Sequence, residues 1–347
     1  MHTATRSTPF RLLLTAFLLL AVALVSTPAH AAGEDVTWTV RTAPNSYGAD
    51  RSSYSYGVNP GGHVEDAMVV ANRGKKPLTL TVYASDGFTT DTGTLDLLPA
   101  GKKSVGVGAW LRTDSAKITV RPGKKAEIPF TVTVPREATP GDYVGGLLTS
   151  LKQPDDAEGI NVDRRLGIKV KLRVSGALKP ALAVEDAHVS YDGTADPFAK
   201  GGATVTYTIH NTGNATLAAR QAIALHGPFG WFTAHVASPK PTPELLPGER
   251  WKVTVPATGV TPSFALTAKV TLTPLLTDAS GSTAPLPPTT ATTHAPAIPW
   301  TLLVLLLLVV ACATAAFVLR RRRKRTADQR LREAVERELR ERGEKVA

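Results

Sequence analysis

Apolar and polar residues alternate in many short runs between residues 36 and 272. A period of two with one polar face is typical of antiparallel sheets that pack on one side. Turns rich in Gly, Pro and Asn separate the runs, so the chain is predicted to be all-β, built from immunoglobulin-like β-sandwiches. The runs are Val36–Val40, Leu78–Val82, Ile128–Val134, Ile168–Val174, Val205–Ile209, Trp251–Val255 and Leu266–Leu272.

The two halves of this region share a weak sequence repeat. Each half has a Gly-Gly pair, a strand, an Asn-x-Gly turn (Asn72–Gly74 and Asn211–Gly213) and a second strand. Each then has a Pro-Gly turn and an alternating strand that ends in Val-Pro. Four matched elements in one order predict two tandem sandwiches of similar design, at 34–176 and 178–278.

The N-terminus has the pattern of a secretory signal peptide. Arg6 and Arg11 supply its charge, and Leu12–Val25 is apolar. Small residues at Ala29 and Ala31 then suit the cleavage positions. We therefore expect residues 1–31 to be a signal peptide that directs the following domains out of the cytoplasm.

The C-terminal part predicts a membrane anchor. Residues 298–319 contain no charge, and 20 residues of helix rise about 30 Å, enough to cross a bilayer. Arg320–Arg325 follows at once, and a basic block of this kind marks the cytoplasmic side. We predict a single-pass type I protein of the cell membrane, with its domains facing the cell wall and a helical, basic cytoplasmic tail at 320–347.

Between the second domain and the span lies a segment of Pro, Thr, Ala and Ser at 279–297. This composition resembles that of extended linkers that form no packed core. We expect a stalk that holds the domains away from the membrane.

Charge and cysteine content exclude several functions. Of the 40 Lys and Arg residues, 12 lie in 320–347 and two in the signal peptide, so the remainder of the chain has a net charge of only +3 and gives no reason to expect nucleic-acid binding. The single cysteine, Cys312, lies inside the span. The external domains therefore need no disulfide, and nothing in their composition calls for a cofactor.

Two segments raise the question of catalysis or metal binding. His63 and Glu65 share one face of a strand beside a Gly-Gly turn, yet polar residues on a solvated face need no catalytic role. The loop Asp86–Gly93 places Asp86, Thr89 and Asp91 as oxygen donors, as a calcium loop would. Asx and hydroxyl turns explain the same composition, and the closing glutamate of a calcium loop is missing.

A tyrosine-rich segment favours ligand binding. Tyr47, Tyr54 and Tyr56 lie among Gly, Ser, Asn and Arg residues that follow Trp38. Aromatic faces beside amide and hydroxyl groups suit a glycan-binding surface. The alternative is that the tyrosines cover a sheet edge, whereas Trp38 is expected in the core. The candidate ligand-binding residues are Tyr47, Tyr54, Tyr56, Asp86, Thr89 and Asp91.

The first domain resembles the peptidoglycan-binding domain of the WxL-interacting proteins of Gram-positive bacteria over most of residues 36–151. The resemblance implies a non-catalytic envelope protein that binds peptidoglycan through this domain, whereas the second domain of such proteins contacts a partner. The richness in Arg, Ala and Thr suits a high-GC actinobacterial source. The matching segments are Asn59–Gly61, Val69–Gly74, Leu78–Val82, Ala84–Gly87 with Gly93, Val134-Pro135 and Pro140–Leu147.

The sequence therefore predicts a membrane-anchored, non-catalytic protein that binds peptidoglycan or another cell-wall glycan. A surface scaffold or adhesin that binds another cell-surface protein through exposed sheet edges is the alternative. A cell-wall-active enzyme is the third choice, because no acid–base pair or metal cluster stands out.

Overall fold

The structure, a computed structural model, describes residues 38–154, 161–277 and 283–344. The predicted signal peptide at 1–31 lies outside these residues. Within them the chain forms two sandwiches of β-sheets, followed by one long helix. The predicted all-β, immunoglobulin-like architecture with a C-terminal apolar helix is confirmed.

The first sandwich packs two sheets face to face. One sheet has the order β1-β3-β8-β6 and the other β2-β10-β9-β4-β5, with β7 also paired to β4. Strand β2 runs parallel to β10 at the edge of the second sheet. A short helix, α1 (Val107–Trp110), precedes β6. The strands are β1 (Trp38–Thr42), β2 (Tyr54–Val58), β3 (His63–Asn72), β4 (Leu78–Thr89), β5 (Leu95–Leu97), β6 (Leu111–Thr113), β7 (Lys117–Val120), β8 (Lys125–Thr133), β9 (Gly141–Pro154) and β10 (Asn161–Val174).

The second sandwich has the sheets β11-β12-β15-β14 and β13-β16-β17, with β18 also on β16. A single 3-10 turn, Pro228–Gly230, follows β13. The strands are β11 (Leu182–Asp192), β12 (Gly201–Asn211), β13 (Leu217–His226), β14 (His235–Val236), β15 (Arg250–Val260), β16 (Phe264–Thr277), β17 (Thr283–Pro285) and β18 (Thr289–Ala297).

The alternating apolar residues form the two cores. Ile168, Val170, Leu172 and Val174 all point inward from β10, and each is buried. Trp38 is 1% exposed, and its indole Nε1 donates to Thr149 Oγ1 on the opposite sheet at 2.9 Å. Its expected place in the core is confirmed. The second core is built in the same way on β12, β15 and β16.

The sequence repeat has a structural basis in two buried asparagines. Asn72 ends β3, and its Nδ2 donates to the carbonyls of Lys76 and Val120, each at 2.8 Å. Asn211 ends β12, and its Nδ2 donates to the carbonyls of Ala215 and Leu245, at 2.8 and 2.9 Å. Each side chain ties its own turn to the segment that precedes the Pro-Gly turn. The two sandwiches therefore share one stabilising device, because a buried amide must satisfy its hydrogen-bonding groups.

The predicted stalk at 279–297 is wrong for most of its length. Residues Thr289–Ala297 form β18, which pairs with β16 from Leu272 to Phe264, and Ala297 is fully buried. Threonine is β-branched and suits a strand, and an edge strand tolerates proline. The second sandwich therefore extends past its predicted end at residue 278 and reaches to within three residues of the helix.

The last element is the helix α2 (Trp300–Glu344). It continues the apolar span directly into the basic tail, as predicted. Only its first turn touches the second sandwich: Thr301 and Leu303 are half-buried, and every residue from Val304 to Arg337 is exposed. The helix therefore projects from one end of the second sandwich.

Candidate functional site

Two of the three candidate tyrosines lie in the first core. Tyr54 is 0% exposed and Tyr56 is 6% exposed, because both point inward from β2. The Tyr54 hydroxyl donates to the Ala67 carbonyl at 2.9 Å. Their predicted role as stacking platforms for sugar rings is wrong, since both side chains are buried. Tyr47 remains half exposed, at 50%.

A buried carboxylate explains why the tyrosine-rich segment folds inward. Asp66 on β3 is buried, and its two oxygens accept hydrogen bonds from five groups. The resulting network joins β1, β2 and β3 and needs the polar residues that made the segment look like a binding surface. The donors are Arg51 Nη1 at 2.6 Å and Nη2 at 3.1 Å, Tyr56 Oη at 2.5 Å, Asn45 Nδ2 at 2.6 Å and the Ala67 N–H at 2.7 Å.

The network keeps Asp66 ionised. Burial alone would raise the pKa of Asp66, but hydrogen bonds from Arg51, Tyr56 and the Ala67 N–H lower it below its usual value. Burial, and then the hydrogen bond to Asp66, raise the pKa of Tyr56. The side chain of Asp66 has no exposed surface, and that of Arg51 keeps 14% of its own. The cluster is a structural ion pair, because a ligand cannot reach its carboxylate.

Asp86 also has a structural role. Its carboxylate accepts the N–H groups of Val105, Gly106 and Gly108, at 2.6, 2.9 and 2.7 Å, and thereby holds the loop that leads into α1. Carboxylate oxygens that face backbone N–H groups are not arranged for a cation. Both the ligand role and the calcium alternative for Asp86 are therefore wrong. The described residues contain no group of three His, Cys, Asp or Glu side chains placed to hold a metal ion.

Thr89 and Asp91 lie where the two sandwiches meet; Thr89 is half-buried, whereas Asp91 is exposed. The Thr89 N–H donates to Glu249 Oε1 at 2.7 Å, and the indole of Trp251 donates to the Asp91 carbonyl at 3.3 Å. The Thr89 hydroxyl also donates to the Glu244 carbonyl at 3.3 Å, whereas Asp91 takes part through its backbone carbonyl. Thr89 is therefore used in interdomain contacts, whereas the predicted ligand role of the Asp91 side chain stays a prediction.

A second set of contacts holds the sandwiches together near the linker. Arg173 makes two hydrogen bonds to Asp142, at 2.6 and 2.9 Å, and Asp142 also accepts the Thr216 N–H at 2.8 Å. Asn214 Nδ2 donates to the Pro140 carbonyl at 2.8 Å. With the Thr89 and Asp91 contacts, these bonds fix the second sandwich against one end of the first.

His63 and Glu65 lie at the start of β3 and are exposed, opposite Thr133 and Thr131 of β8. Glu65 therefore faces a threonine on the neighbouring strand. Both residues therefore lie on a solvated strand face, as expected if they have no catalytic role.

A groove lies on the outer face of the first sandwich, at the place where the second sandwich contacts it. Its floor is β2, β10 and β9, and its overhang comes from Thr216, Glu244 and Thr277 of the second sandwich. The cavity has a volume of about 220 Å³. Ser55 and Gly57, on the outward side of the edge strand β2, form one wall. Because each sandwich supplies part of the lining, the groove exists only in the assembled pair.

Basic side chains follow the outward face of β10, and the last two of them, Lys171 and Arg173, line this groove. Arg165, Lys169, Lys171 and Arg173 alternate with the buried residues of the same strand. Lys169 and Lys171 share one carboxylate, with Nζ to Glu244 Oε2 distances of 3.4 and 3.5 Å. Burial, and then the neighbouring charge of Lys171, lower the pKa of Lys169. Two ammonium groups therefore face one carboxylate at the edge of the groove, and within its lining Lys171 and Arg173 are balanced by Asp142 and Glu244.

The sequence contains a signal for this row. In Arg165–Val174 basic residues occupy four of five alternate positions, with Gly167 as the exception, opposite an apolar face. Such a row reads as an ordinary solvated strand face. Part of this strand face becomes a groove only because Glu244 of the second sandwich lies over it.

The described residues include one helix that is long and apolar enough to cross a membrane. It runs over Trp300–Arg337, and its most apolar stretch has a mean hydropathy of 3.1. None of that stretch is buried against the rest of the protein. An apolar helix that leaves its sides uncovered in this way suits a lipid surrounding.

No family model matches this chain, and no curated protein matches it. Solved structures with a similar fold include the class 5 fimbriae chaperone CfaA, at 12% identity over 74% of this chain and 99% of that one, with a TM-score of 0.36.

The CsuC–CsuE chaperone–tip adhesion subunit complex of Acinetobacter baumannii matches at 14% identity over 72% of this chain and 97% of that one, with a TM-score of 0.36. The E. coli chaperone DraB matches at 10% identity over 73% of this chain and 98% of that one, with a TM-score of 0.32. Likenesses at these TM-scores carry no information on function, and the fold assignment above follows from the strand pairing itself.

Proposed function

We propose that the protein is a membrane-anchored, non-catalytic binding protein of the cell envelope that holds peptidoglycan in the groove between its two sandwiches. The groove, with Lys171 in its lining and Lys169 beside it on the same carboxylate, is the observation that carries this proposal. The resemblance of the first domain to the peptidoglycan-binding domain of WxL-interacting proteins supports the same ligand.

The order of α2, the second sandwich and the first sandwich suits a protein whose first sandwich faces the cell wall. Helix α2 leaves one end of the second sandwich, and the first sandwich is attached at the other end through Asn214, Thr216 and Glu249. If α2 crosses the cell membrane with its basic tail inside, the first sandwich is the part farthest from the bilayer. The groove then lies one sandwich length above the membrane, where wall polymer is present.

The anchoring has a direct test. Protease added to intact protoplasts should remove both sandwiches and leave a fragment of about 5 kDa that contains the span and tail. Protection of the sandwiches from that protease would contradict the type I orientation.

The chemistry of the groove suits an extended anionic chain. Peptidoglycan carries carboxylates on its stem peptides, and a ligand carboxylate can take the place of Glu244 beside the two lysines. The existing pairs are long and partly exposed, with lysine side chains at 32% and 41% exposure. Such ion pairs contribute less than about 1 kcal/mol, so replacing them costs little.

Sedimentation with purified sacculi tests the groove. Changing both Lys169 and Lys171 to Glu should weaken binding by about 10-fold or more, since two attractive contacts of about 1 kcal/mol each become repulsive. The matched control is Lys252→Glu on the exposed face of β15, which should bind as the unchanged protein does. Equal binding by the groove variant and the control would remove the groove as the site.

A peptide segment of another surface protein is the second candidate ligand. Strand β2 pairs only with β10 among the described residues, so its other edge is open to a further strand. Edge pairing of this kind is a common mode of peptide recognition. Sacculi stripped of their attached proteins by protease separate the two ligands: retained binding supports peptidoglycan, whereas lost binding supports the protein partner.

A further inference from the structure

We infer that the end of the second sandwich beside helix α2 is a membrane-docking surface. Its exposed aromatic side chains insert into the headgroup region of the bilayer that α2 crosses and hold the two sandwiches at a fixed tilt. This inference rests on the anchoring proposed above, but not on the peptidoglycan ligand. We call the surface the aromatic end; it comprises Phe198, Phe229, Trp231, Phe232, Phe264 and Trp300.

The strand pairing places these residues at the level where the helix begins. Phe264 opens β16 and pairs with Ala297, three residues before Trp300. The loop after β13 lies beside it, since a Cβ on Gly227 would come within 2.6 Å of Ser263 Oγ. The loop of Phe198 touches the helix itself, because the Thr301 hydroxyl donates to the Thr194 carbonyl at 3.4 Å.

The aromatic end collects most of the exposed apolar side chains of the sandwiches. Seven large apolar residues that precede the helix are exposed in the described part of the chain, and five of them lie here. Phe229 is 91% exposed and Phe198 81%. The segments 227–234, 260–264 and 297–300 contain no charged residue. A contiguous surface of this kind, at one end of a soluble sandwich, marks a contact site.

The backbone of the same loops supports a role for these side chains. Phe229, Phe232 and Phe264 have φ values of 58°, 57° and 67°, and they are three of the five non-glycine residues with positive φ in the described part of the chain. A bulky residue rarely adopts this left-handed conformation, where glycine is the usual choice. Exposed phenylalanines held in it contribute nothing to the core, so the strained loops point to a function outside the fold.

The chemistry of the surface fits lipid. Trp and Phe side chains are typical of the boundary between headgroups and acyl chains, where uncharged aromatic rings contact lipid. Trp300 begins the span, so the other five side chains meet the same boundary without any movement of the helix. Only Ile298 and Pro299 connect β18 to α2, so the second sandwich has little freedom to move away from the membrane surface.

Quenching by spin-labelled lipid tests the docking in the full-length chain. In a Cys312→Ala background, Thr233→Cys puts a single fluorescent label on an exposed position beside Phe232. The protein is reconstituted into phosphatidylcholine vesicles in which some lipids carry a nitroxide near the headgroup end of an acyl chain. The matched label is Lys75→Cys in the turn between β3 and β4, at the end of the first sandwich away from the second.

The label at residue 233 should be quenched about twofold or more, as for a group held within about 10 Å of the headgroup boundary, and the label at residue 75 should not be quenched. Adding Phe229→Ser, Trp231→Ser and Phe232→Ser should reduce quenching at residue 233 to the level at residue 75. Equal quenching at the two positions, or full quenching in the serine variant, would overturn the docking.

Extraction at high pH distinguishes this failure from failure of the anchoring. Protein that stays with the vesicles but shows no quenching at residue 233 contradicts the docking alone. Protein that leaves the vesicles contradicts both the anchoring and the docking. Neither result bears on sedimentation with sacculi, which depends on the groove at the other end of the second sandwich.

Discussion

Two aromatic-rich segments of this protein differ in solvent exposure: one is largely buried and the other is largely exposed. The segment of Tyr47, Tyr54 and Tyr56 is surrounded by polar residues, yet Tyr54 is 0% exposed. The segment of Phe229 and Trp231 has almost no polar neighbours, yet Phe229 is 91% exposed. Local polarity therefore predicted the wrong exposure for the first segment, and it did not indicate that the aromatic side chains of the second segment are exposed.

The difference lies in what each segment meets in space. Asp66, on another strand, offers the first segment a buried carboxylate that Arg51, Asn45 and Tyr56 can satisfy together. The second segment lies at the end of its sandwich, where Ala234 still belongs to the core cluster but Phe229, Trp231 and Phe232 are exposed and no described element covers them. Polar residues can thus mark a buried network, and apolar residues can mark a surface.

Tyr54→Ala is the strongest test of this comparison. Removing a fully buried aromatic ring should lower the free energy of unfolding by about 3–5 kcal/mol. Tyr47→Ala is the matched control, and its half-exposed ring should cost less than about 1 kcal/mol. Chemical denaturation of the purified protein, followed by tryptophan fluorescence, measures both. A small loss for Tyr54→Ala would place the ring on the surface after all.

Asp66→Asn tests the buried network. The amide keeps the volume but leaves Arg51 without its charge partner, and breaking such a pair typically costs about 3–5 kcal/mol. Because the Arg51 side chain keeps 14% of its exposure, we expect the lower end of that range. Asp114→Asn in the exposed turn before β7 should change stability by less than about 0.5 kcal/mol in the same denaturation experiment.

The same aspartate predicts how stability changes with pH. Its folded-state pKa is lowered, so its contribution is complete above the unfolded pKa, about 3.9. That contribution is lost as the pH falls from about 4 through the folded-state pKa. The difference in unfolding free energy between the unchanged protein and Asp66→Asn should therefore be constant from about pH 7 to 5 and shrink below about pH 4. A difference that grows on acidification would contradict this.

Phe229→Gly should have the smallest effect, and its sign is informative. The left-handed conformation costs an L-residue about 1–2 kcal/mol, whereas glycine brings about 0.5–1 kcal/mol of extra chain entropy to the unfolded state. We expect a stability change between zero and a gain of about 1 kcal/mol. Phe198→Gly, equally exposed but without positive φ, should instead lose about 0.5–1 kcal/mol. A clear loss at residue 229 would mean that its ring packs on the protein.

Much of the fold could be predicted from periodicity. The strands β4, β8, β10, β12, β15 and β16 lie on the predicted runs, and the Asn72 and Asn211 turns follow the predicted repeat. The stalk could not be predicted correctly, because Thr and Ala residues suit both a linker and a strand. Pairing of β18 with β16 decided the outcome, since nine residues of chain gain a ladder and bury Ala297.

The candidate site was the least predictable part. Asp86, Thr89 and Asp91 are chemically suited to bind a ligand, but their partners are 19 to 160 residues away in sequence, and no local pattern contains them. The groove likewise needs Glu244 beside Lys169 and Lys171, which only the packing of one sandwich on the other provides.

The sequence by itself determined the strand pattern, the two similar sandwiches and the apolar helix with its basic tail, because these depend on the spacing of side chains along the chain. Only the tertiary structure decided which aromatic rings are buried, which acids serve as structural acceptors and where a groove opens. Those outcomes depend on contacts between residues far apart in sequence, and burial of a polar group is favourable only where such a contact supplies its hydrogen bonds.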